Sequence, residues 1–175
     1  EEIKSAKLIA NPGCFPTATL LGLMPALKQK IIDEASIHID AKTGVTGAGR
    51  NASIANLFTE VNENIRAYKV GEHQHIPEIE QVISDISGKD APITFITHLL
   101  PMNRGIMCTM YGSLKVKATT EEVHDIYKNM YKNDPFIRIR PIGEWPSTKE
   151  VMGSNFCDIN VMVNERTNKL IIISV

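Results

Sequence analysis

The chain has 175 residues and a mass of 19.4 kDa, a length typical of one domain with its own hydrophobic core. Its net charge of −1, from 19 basic and 20 acidic residues, gives no electrostatic reason to expect a nucleic acid or a membrane as partner. The 43% of hydrophobic residues argues against disorder, and no apolar run approaches the roughly 20 residues of a membrane span. Three cysteines, an odd count, and the lack of a signal-peptide pattern predict free thiols and a cytoplasmic protein.

The first half of the chain alternates apolar runs with turns and loops. This pattern predicts a strand over 7–10, a helix over about 16–30, a strand over 36–41, a glycine-rich loop over 42–50, an irregular stretch over 61–75 and a helix over 77–88. Pro16 suits the start of the first helix, and we expect Pro25 to kink or interrupt it. Pro77 begins the second helix and Gly88 ends it.

The second half is richer in strands. Its apolar runs predict strands over 93–100, 106–116 and 136–140, a helix from the capping box at 119–122 to about Tyr131, and a final hairpin that joins 156–164 to 170–175. We expect the first two of these strands to be antiparallel to each other. Five or six strands and three helices without strict alternation indicate an α+β fold, in which helices cover a mixed, largely antiparallel sheet.

Cys14 is the first candidate for chemistry. It lies where a turn leads into a helix, and the free N–H groups at a helix N-terminus favour the nucleophilic thiolate. The alternative is a small buried side chain, the usual role of a free cysteine. Cys108 and Cys157 lie inside predicted strands, so we expect both to be structural.

His73 and His75 form the second candidate, just ahead of the helix at Pro77. A nucleophilic cysteine needs an acid–base partner of this kind. In an extended segment the two rings point the same way, so one can contact substrate while the other transfers protons. The alternatives are helix capping, or a metal site completed by Glu72 or Glu78.

The loop over 47–52 matches the pattern G-x-G-x-x-A of dinucleotide-binding turns. The preceding strand ends too early, and no parallel βαβ unit surrounds the loop, so we do not interpret it as a Rossmann phosphate loop. Two arginines in turns, Arg50 and Arg104, are candidates for contact with an anionic ligand.

Five segments in this order resemble the N-acetyl-gamma-glutamyl-phosphate reductase family. They are Asn11-Pro-Gly-Cys-Phe-Pro-Thr17, Gly44-Val-Thr-Gly-Ala-Gly-Arg50, Ala67-Tyr68 with His73-Gln-His75-Ile-Pro-Glu-Ile79, Pro101-Met-Asn-Arg-Gly105 and Gly153-Ser-Asn-Phe-Cys-Asp158. The resemblance extends over nearly all of the chain. It implies the architecture of aspartate-semialdehyde dehydrogenase and glyceraldehyde-3-phosphate dehydrogenase, in which a Rossmann domain is joined to a catalytic α+β domain.

The resemblance also implies a step of arginine biosynthesis, the NADPH-dependent reduction of N-acetyl-glutamyl 5-phosphate to N-acetyl-glutamate 5-semialdehyde. In that chemistry Cys14 forms a thioester and His75 transfers the proton. Gly47 and Ala48 then approach the nicotinamide of NADP. We assign substrate binding to Asn11, Arg50, Tyr68, His73 and Arg104.

The same resemblance assigns residues 1–175 to the catalytic domain and leaves the NADP-binding Rossmann domain outside them. We therefore expect this chain to be a piece of a longer protein, to bind NADP weakly by itself and to show little turnover. A homodimer or homotetramer is expected. The alternatives are a sister semialdehyde dehydrogenase for another acyl phosphate, a His-x-His metal-binding module, and an interaction domain without catalysis.

Overall fold

The computed structural model describes residues 2–175, which form one mixed sheet with helices packed against it. The described strands are β1 (His38–Thr43), β2 (Arg66–Tyr68), β3 (Thr94–Leu99), β4 (Ile106–Ser113), β5 (Ile137–Ile139), β6 (Cys157–Asn164) and β7 (Lys169–Ser174). The described helices are α1 (Glu2–Ser5), α2 (Cys14–Lys28), α3 (Phe58–Val61), α4 (Ile76–Ser87), α5 (Thr120–Tyr131) and α6 (Thr148–Val151).

The strand order across the sheet is β2-β3-β1-β4-β7-β6-β5. In the described chain, β1 with β3 and β5 with β6 are the parallel pairs, and the other neighbours are antiparallel. The predicted α+β class with a largely antiparallel sheet is therefore confirmed. The expected count of five or six strands was too low by at least one, because the described residues form seven.

Helices α2, α4 and α5 bury one face of the sheet. Alternate residues of β1 and β7 point into this layer, and Ile39, Ala41, Leu170 and Ile172 are fully buried there. Helix α2 packs on β4 and β7, with α4 on one side and α5 on the other. The packing of α2 against both the sheet and two helices fixes where its first residue, Cys14, lies in the fold.

Local signals in the sequence located these helices well. Helix α4 ends at Gly88, whose φ of +75° is a left-handed cap that glycine adopts without strain. Helix α5 begins at the predicted capping box, in which Thr119 and Glu122 each accept a hydrogen bond from the other's backbone N–H. The terminal hairpin of β6 and β7 is confirmed as well.

Helix α2 differs from the prediction at both of its prolines. It begins two residues before Pro16, and it continues through Pro25 to Lys28. Proline lacks an N–H, so Pro25 leaves the carbonyl of Leu21 without its helical donor. The hydroxyl of Tyr131 on α5 donates to that carbonyl at 2.6 Å, which explains why Pro25 does not interrupt the helix.

Two strand predictions need correction. Residues 7–10 are not a strand, since no described strand pairs with them and Leu8 is 90% exposed. An extended segment without a partner strand forms no inter-strand hydrogen bonds, and without a buried face it gains no hydrophobic stabilisation. Within the stretch predicted as irregular, Arg66–Tyr68 forms the edge strand β2, too short to show a period-2 pattern.

The two strands predicted after α4 do run in opposite directions, but they are not neighbours. Strand β1 lies between them, parallel to β3 and antiparallel to β4. This insertion brings the loop after β1 beside the turn over 101–105, since the backbone N–H of Val45 donates to the carbonyl of Met102 at 2.9 Å. The order of the strands in the sheet therefore determines which loops lie next to each other.

An ion pair with a buried carboxylate joins strands β5 and β6 at the other end of the sheet. Arg138 on β5 lies opposite Asp158 on β6, and its guanidinium donates two hydrogen bonds to that carboxylate. The side chain of Asp158 is completely buried, so its charge depends on this partner.

Over the described residues, no helix has both the length and the apolar character that crossing a membrane requires.

Candidate active site

Cys14 is the first residue of α2, and its side chain is exposed. Phe15 turns the other way, into the core, where it is only 2% exposed. The preceding Gly13 caps the helix without a side chain of its own, so backbone N–H groups and the positive end of the helix dipole lie beside the thiol. Because the side chain of Cys14 is exposed, the alternative that Cys14 is a small buried side chain is excluded.

A cleft of about 400 Å³ opens at this helix end. It brings together six of the nine residues predicted for the site, namely Cys14, Gly47, Ala48, Tyr68, His73 and His75. The other three predicted residues do not line it. Asn11 and Arg50 lie exposed on the surface, and Arg104 lines a separate cleft with Thr148.

His73 is the buried histidine of the pair, at 4% exposure. The rings of Phe15, Tyr68 and Phe95 surround it edge-on, with centroids 5.4 to 5.7 Å away. Burial, and then the charges of His75 and Lys69, lower the pKa of His73 to about 4. Its Nδ1 accepts the backbone N–H of His75 at 3.2 Å, so the neutral ring carries its proton on Nε2.

His75 lies at the N-terminus of α4 with its ring against the turn that precedes Cys14. A Cβ atom placed on Gly13 would come within 2.5 Å of Nε2 of His75, so glycine is required for this approach. Burial lowers the pKa of His75, the charge of Glu78 opposes that effect, and Lys69 adds to it. The ring is therefore mainly neutral near pH 7, as a proton acceptor from a thiol must be.

The two histidines meet, and their segment is a turn, in line with the irregular stretch predicted over 61–75. Their ring centroids are 4.8 Å apart. The side-chain Nδ1 of His75 is buried without a protein partner, whereas that of His73 is bonded. His75 is thus the histidine with an atom free to bind a ligand or a water molecule.

The glycine-rich loop forms a short 3₁₀ turn, Val45–Ala48, that borders the cleft. The backbone N–H and the hydroxyl of Thr46 both donate to the carbonyl of Asn103. A Cβ on Gly44 would lie 2.6 Å from the same oxygen, so the two loops touch only because that residue is glycine. Gly47 and Ala48 present little more than backbone to the cleft, which leaves room for a flat ligand.

Two basic residues of the cleft, Arg66 and Lys69, were missed in the sequence analysis. Arg66 donates to the carbonyl of Ala55 at 2.6 Å, while its Nε is buried and has no protein partner. Lys69 donates to the side chain of Gln74 at 2.6 Å. Arg66 lies two residues before Tyr68 on β2, and side chains with this spacing share one face of a strand. The sequence could have indicated Arg66 only if this short strand had been predicted.

Glu78 was considered only as a metal ligand, and its contact here is with the backbone. Its Oε1 accepts the N–H of Gly13 at 3.0 Å. Among residues 2–175, no group of three or more His, Cys, Asp or Glu side chains is arranged to hold a metal ion.

The remaining cysteines lie in strands, as predicted. Cys108 on β4 is fully buried, and burial raises its pKa to about 12 although the hydroxyl of Thr19 donates to the sulfur. Burial also raises the pKa of Cys157, despite its contact with the hydroxyl of Ser174. Both environments disfavour a thiolate, in contrast to the exposed helix end that holds Cys14.

The fold and the cleft together define a domain of the semialdehyde dehydrogenase class. The sequence model described as "Semialdehyde dehydrogenase, dimerisation domain" matches residues 14–175, so the chain belongs to this family. The chain also resembles aspartate semialdehyde dehydrogenase II from Vibrio cholerae, with a TM-score of 0.72 over 99% of this chain and 58% of that one. Sequence identity is 14%, so this likeness concerns the fold.

More similar sequences are proteins named N-acetyl-gamma-glutamyl-phosphate reductase. The one from Bacillus amyloliquefaciens is 56% identical over 173 residues, which are 99% of this chain and 50% of that protein. The one from Bacillus subtilis strain 168 is 55% identical over 174 residues, with the same coverage. The chain therefore spans about half the length of the curated relatives it matches.

Proposed function

We propose that this chain is the catalytic domain of an enzyme that reduces N-acetyl-glutamyl 5-phosphate to N-acetyl-glutamate 5-semialdehyde, in arginine biosynthesis. The names of relatives that are 55 to 56% identical support this substrate. The observation that carries the chemistry is the exposed Cys14 at the start of α2, in one cleft with the half-buried His75. An adjacent histidine activates a nucleophilic cysteine for acyl transfer, because it takes up the proton of the thiol.

The first step is thioester formation. The proton of the Cys14 thiol passes to His75, and the thiolate attacks the acyl carbon of the substrate. The bond from this carbon to the phosphate oxygen breaks, and phosphate leaves and takes up one proton from solvent. N–H groups at the start of α2 stabilise the negative charge on sulfur before attack.

The second step is reduction of the thioester. We assign the nicotinamide ring to the part of the cleft beside Gly47 and Ala48, which carry no long side chain, and a bound NADPH would supply the hydride there. Hydride addition to the thioester carbon leaves an oxyanion, which takes the proton held on His75. Return of that proton to His75 and cleavage of the carbon–sulfur bond then release the aldehyde and the thiolate.

Four side chains of the cleft bind and orient the substrate in this proposal. Arg66 and Lys69 supply the positive charge that the carboxylate and phosphate groups require. His73, neutral with its proton on Nε2, donates a hydrogen bond. Burial raises the pKa of Tyr68, so its hydroxyl stays protonated and also donates. The substrate role predicted for three further residues requires that the substrate reach beyond the residues that line this cleft. They are Asn11, Arg50 and Arg104.

The whole protein is proposed to act as a homodimer or homotetramer, in line with the dimerisation domain of its family. A cytoplasmic location is proposed because Cys14, Cys108 and Cys157 are all free thiols, which a reducing compartment maintains. The NADP-binding Rossmann domain is proposed to lie in a part of the protein outside residues 1–175.

A substrate assay tests this proposal. In the full-length protein, NADPH oxidation is measured with N-acetyl-glutamyl 5-phosphate and with aspartyl 4-phosphate as the competing acyl phosphate. Cys14→Ser should lower kcat by about a thousandfold or more, and His75→Asn by about a hundredfold or more. Cys108→Ser serves as the matched control and should retain turnover. Full activity of Cys14→Ser, or a preference for aspartyl phosphate, would contradict the proposal.

Thiol labelling tests the site without substrate. Iodoacetamide should modify Cys14 in the folded protein and spare Cys108 and Cys157, because Cys108 is buried, Cys157 is half-buried, and the pKa of both thiols is raised. The rates are read for each cysteine by peptide mass spectrometry. His75→Ala should slow the reaction of Cys14 alone. Equal rates at the three cysteines would mean that no activated thiol exists here.

A further inference from the structure

The side chain of Glu78 connects the two helices that carry the proposed catalytic pair. It belongs to the first turn of α4, and its Oε1 accepts the backbone N–H of Gly13 at 3.0 Å. The two residues are 65 positions apart in the chain, so this bond is a tertiary contact. Gly13 is the residue on which α2 begins, directly before Cys14.

The same turn of α4 also positions His75 against Gly13. The space between Nε2 of His75 and Gly13 is too small for a Cβ atom. Gly13 is therefore held on one side by a carboxylate and contacted on the other by the imidazole. A small movement of this turn would change the approach of the neighbouring thiol to the ring.

Glu78 does not line the cleft, so it has no direct contact with a ligand there. We propose that Glu78 is a positioning residue that fixes the turn of Gly13 and Cys14 on the start of α4 and so sets the approach of Cys14 to His75. This inference rests on the proposed function, because it assigns Glu78 a role in the reaction of that pair.

The charge of Glu78 has a second effect in this role. It raises the pKa of His75 against the effects of burial and of Lys69. The other titratable groups near this ring are His73, Tyr68, the thiol of Cys14 and, across the cleft, Arg66. Glu78 is the carboxylate among the groups that act on His75, so it keeps this imidazole able to hold the thiol proton.

Three variants of the full-length protein separate the bond from the charge. Glu78→Gln retains an acceptor for the Gly13 N–H but removes the charge, and Glu78→Ala removes both. Glu80→Gln is the matched control, because Glu80 lies on the same helix and accepts the N–H of Ile93 at 3.0 Å without lining the cleft. Thermal unfolding of each variant shows that it is folded.

The expected results differ among the variants. Glu78→Ala should lower kcat about 10- to 100-fold with little change in KM, because the pair is misplaced while substrate binding is kept. Glu78→Gln should recover most of kcat, and the acidic limb of kcat/KM should move to lower pH. In NMR titrations, the midpoint of His75 should fall in both Glu78 variants and stay unchanged in Glu80→Gln.

Two results would overturn the inference. One is a His75 midpoint that is the same in Glu78→Gln and Glu80→Gln, and the other is a kcat of Glu78→Ala equal to that of the unmodified protein. The His75 titration uses no substrate, so it tests Glu78 even if the protein fails to reduce N-acetyl-glutamyl 5-phosphate. Failure of the proposed function is therefore distinguishable from failure of this inference.

Discussion

Acidification should destabilise this protein through His73. Burial holds the pKa of His73 at about 4 in the folded chain, against 6.5 for an ordinary histidine. As the pH falls below 6.5, the unfolded chain takes up a proton that the folded chain does not bind. The free energy of unfolding is therefore unaffected by His73 well above pH 6.5, and it decreases as the pH falls from 6.5 towards 4. Between about pH 7 and about pH 5, the free energy of unfolding should decrease by about 2 kcal/mol from this residue.

The assay is urea unfolding near pH 7 and near pH 5, with His73→Asn as the comparison. The Oδ1 of asparagine replaces the Nδ1 that accepts the N–H of His75, so the local hydrogen bond has a substitute. The variant should be less stable near neutral pH, because the aromatic cluster loses a ring, but it should lose about 2 kcal/mol less on acidification. Glu34, whose pKa is lowered from 4.5 to about 2 mainly by its hydrogen bond with Lys89, contributes only a small decrease in this window, because both values lie below pH 5. An equal loss in both proteins would refute the assignment of this pH dependence to His73.

Two further substitutions test the framework, each measured by urea unfolding near pH 7. Tyr131→Phe should cost about 1 to 3 kcal/mol, because the Leu21 carbonyl beneath Pro25 loses the donor that replaces the missing N–H. Asp158→Asn should cost about 1.5 to 3 kcal/mol, since the charge-assisted hydrogen bonds from Arg138 to its carboxylate are lost. The exposed Glu144 is the control for charge removal, and Glu144→Gln should cost less than about 1 kcal/mol. A cost below this control value for either buried site would contradict the prediction.

The helices were predictable because their signals are local. The capping box at Thr119 and the glycine at 88 act within a few residues of the chain, so a sequence pattern contains the whole interaction. The effect of Pro25 was not predictable in this way. A proline in a helical segment predicts an interruption, and the compensating hydroxyl of Tyr131 lies 110 positions from the carbonyl of Leu21 that it bonds.

The same distinction applies to the site. Cys14 was a candidate because a helix start favours a thiolate, and His75 was chosen because of the family resemblance; the structure places both beside one cleft. Arg66 was missed because its strand has only three residues, and the contact of Glu78 with Gly13 was missed because the two residues are 65 positions apart. The order of strands in the sheet places the 101–105 turn beside the loop after β1, and this contact is equally nonlocal.

The hydroxyls of α5 also constrain the order in which the protein folds. Tyr131 and Tyr127 donate to the carbonyls of Leu21 and Gly22, across sequence separations of 110 and 105 positions. The helix that presents Cys14 therefore lacks a hydrogen bond at its proline until a segment from the second half of the chain has docked. During synthesis on the ribosome, α2 should remain exchange-labile in its last turns until α5 has emerged. The middle of α2 therefore acquires these two hydrogen bonds only after strands β1 to β4 have emerged, while β5, β6 and β7 are still to be made.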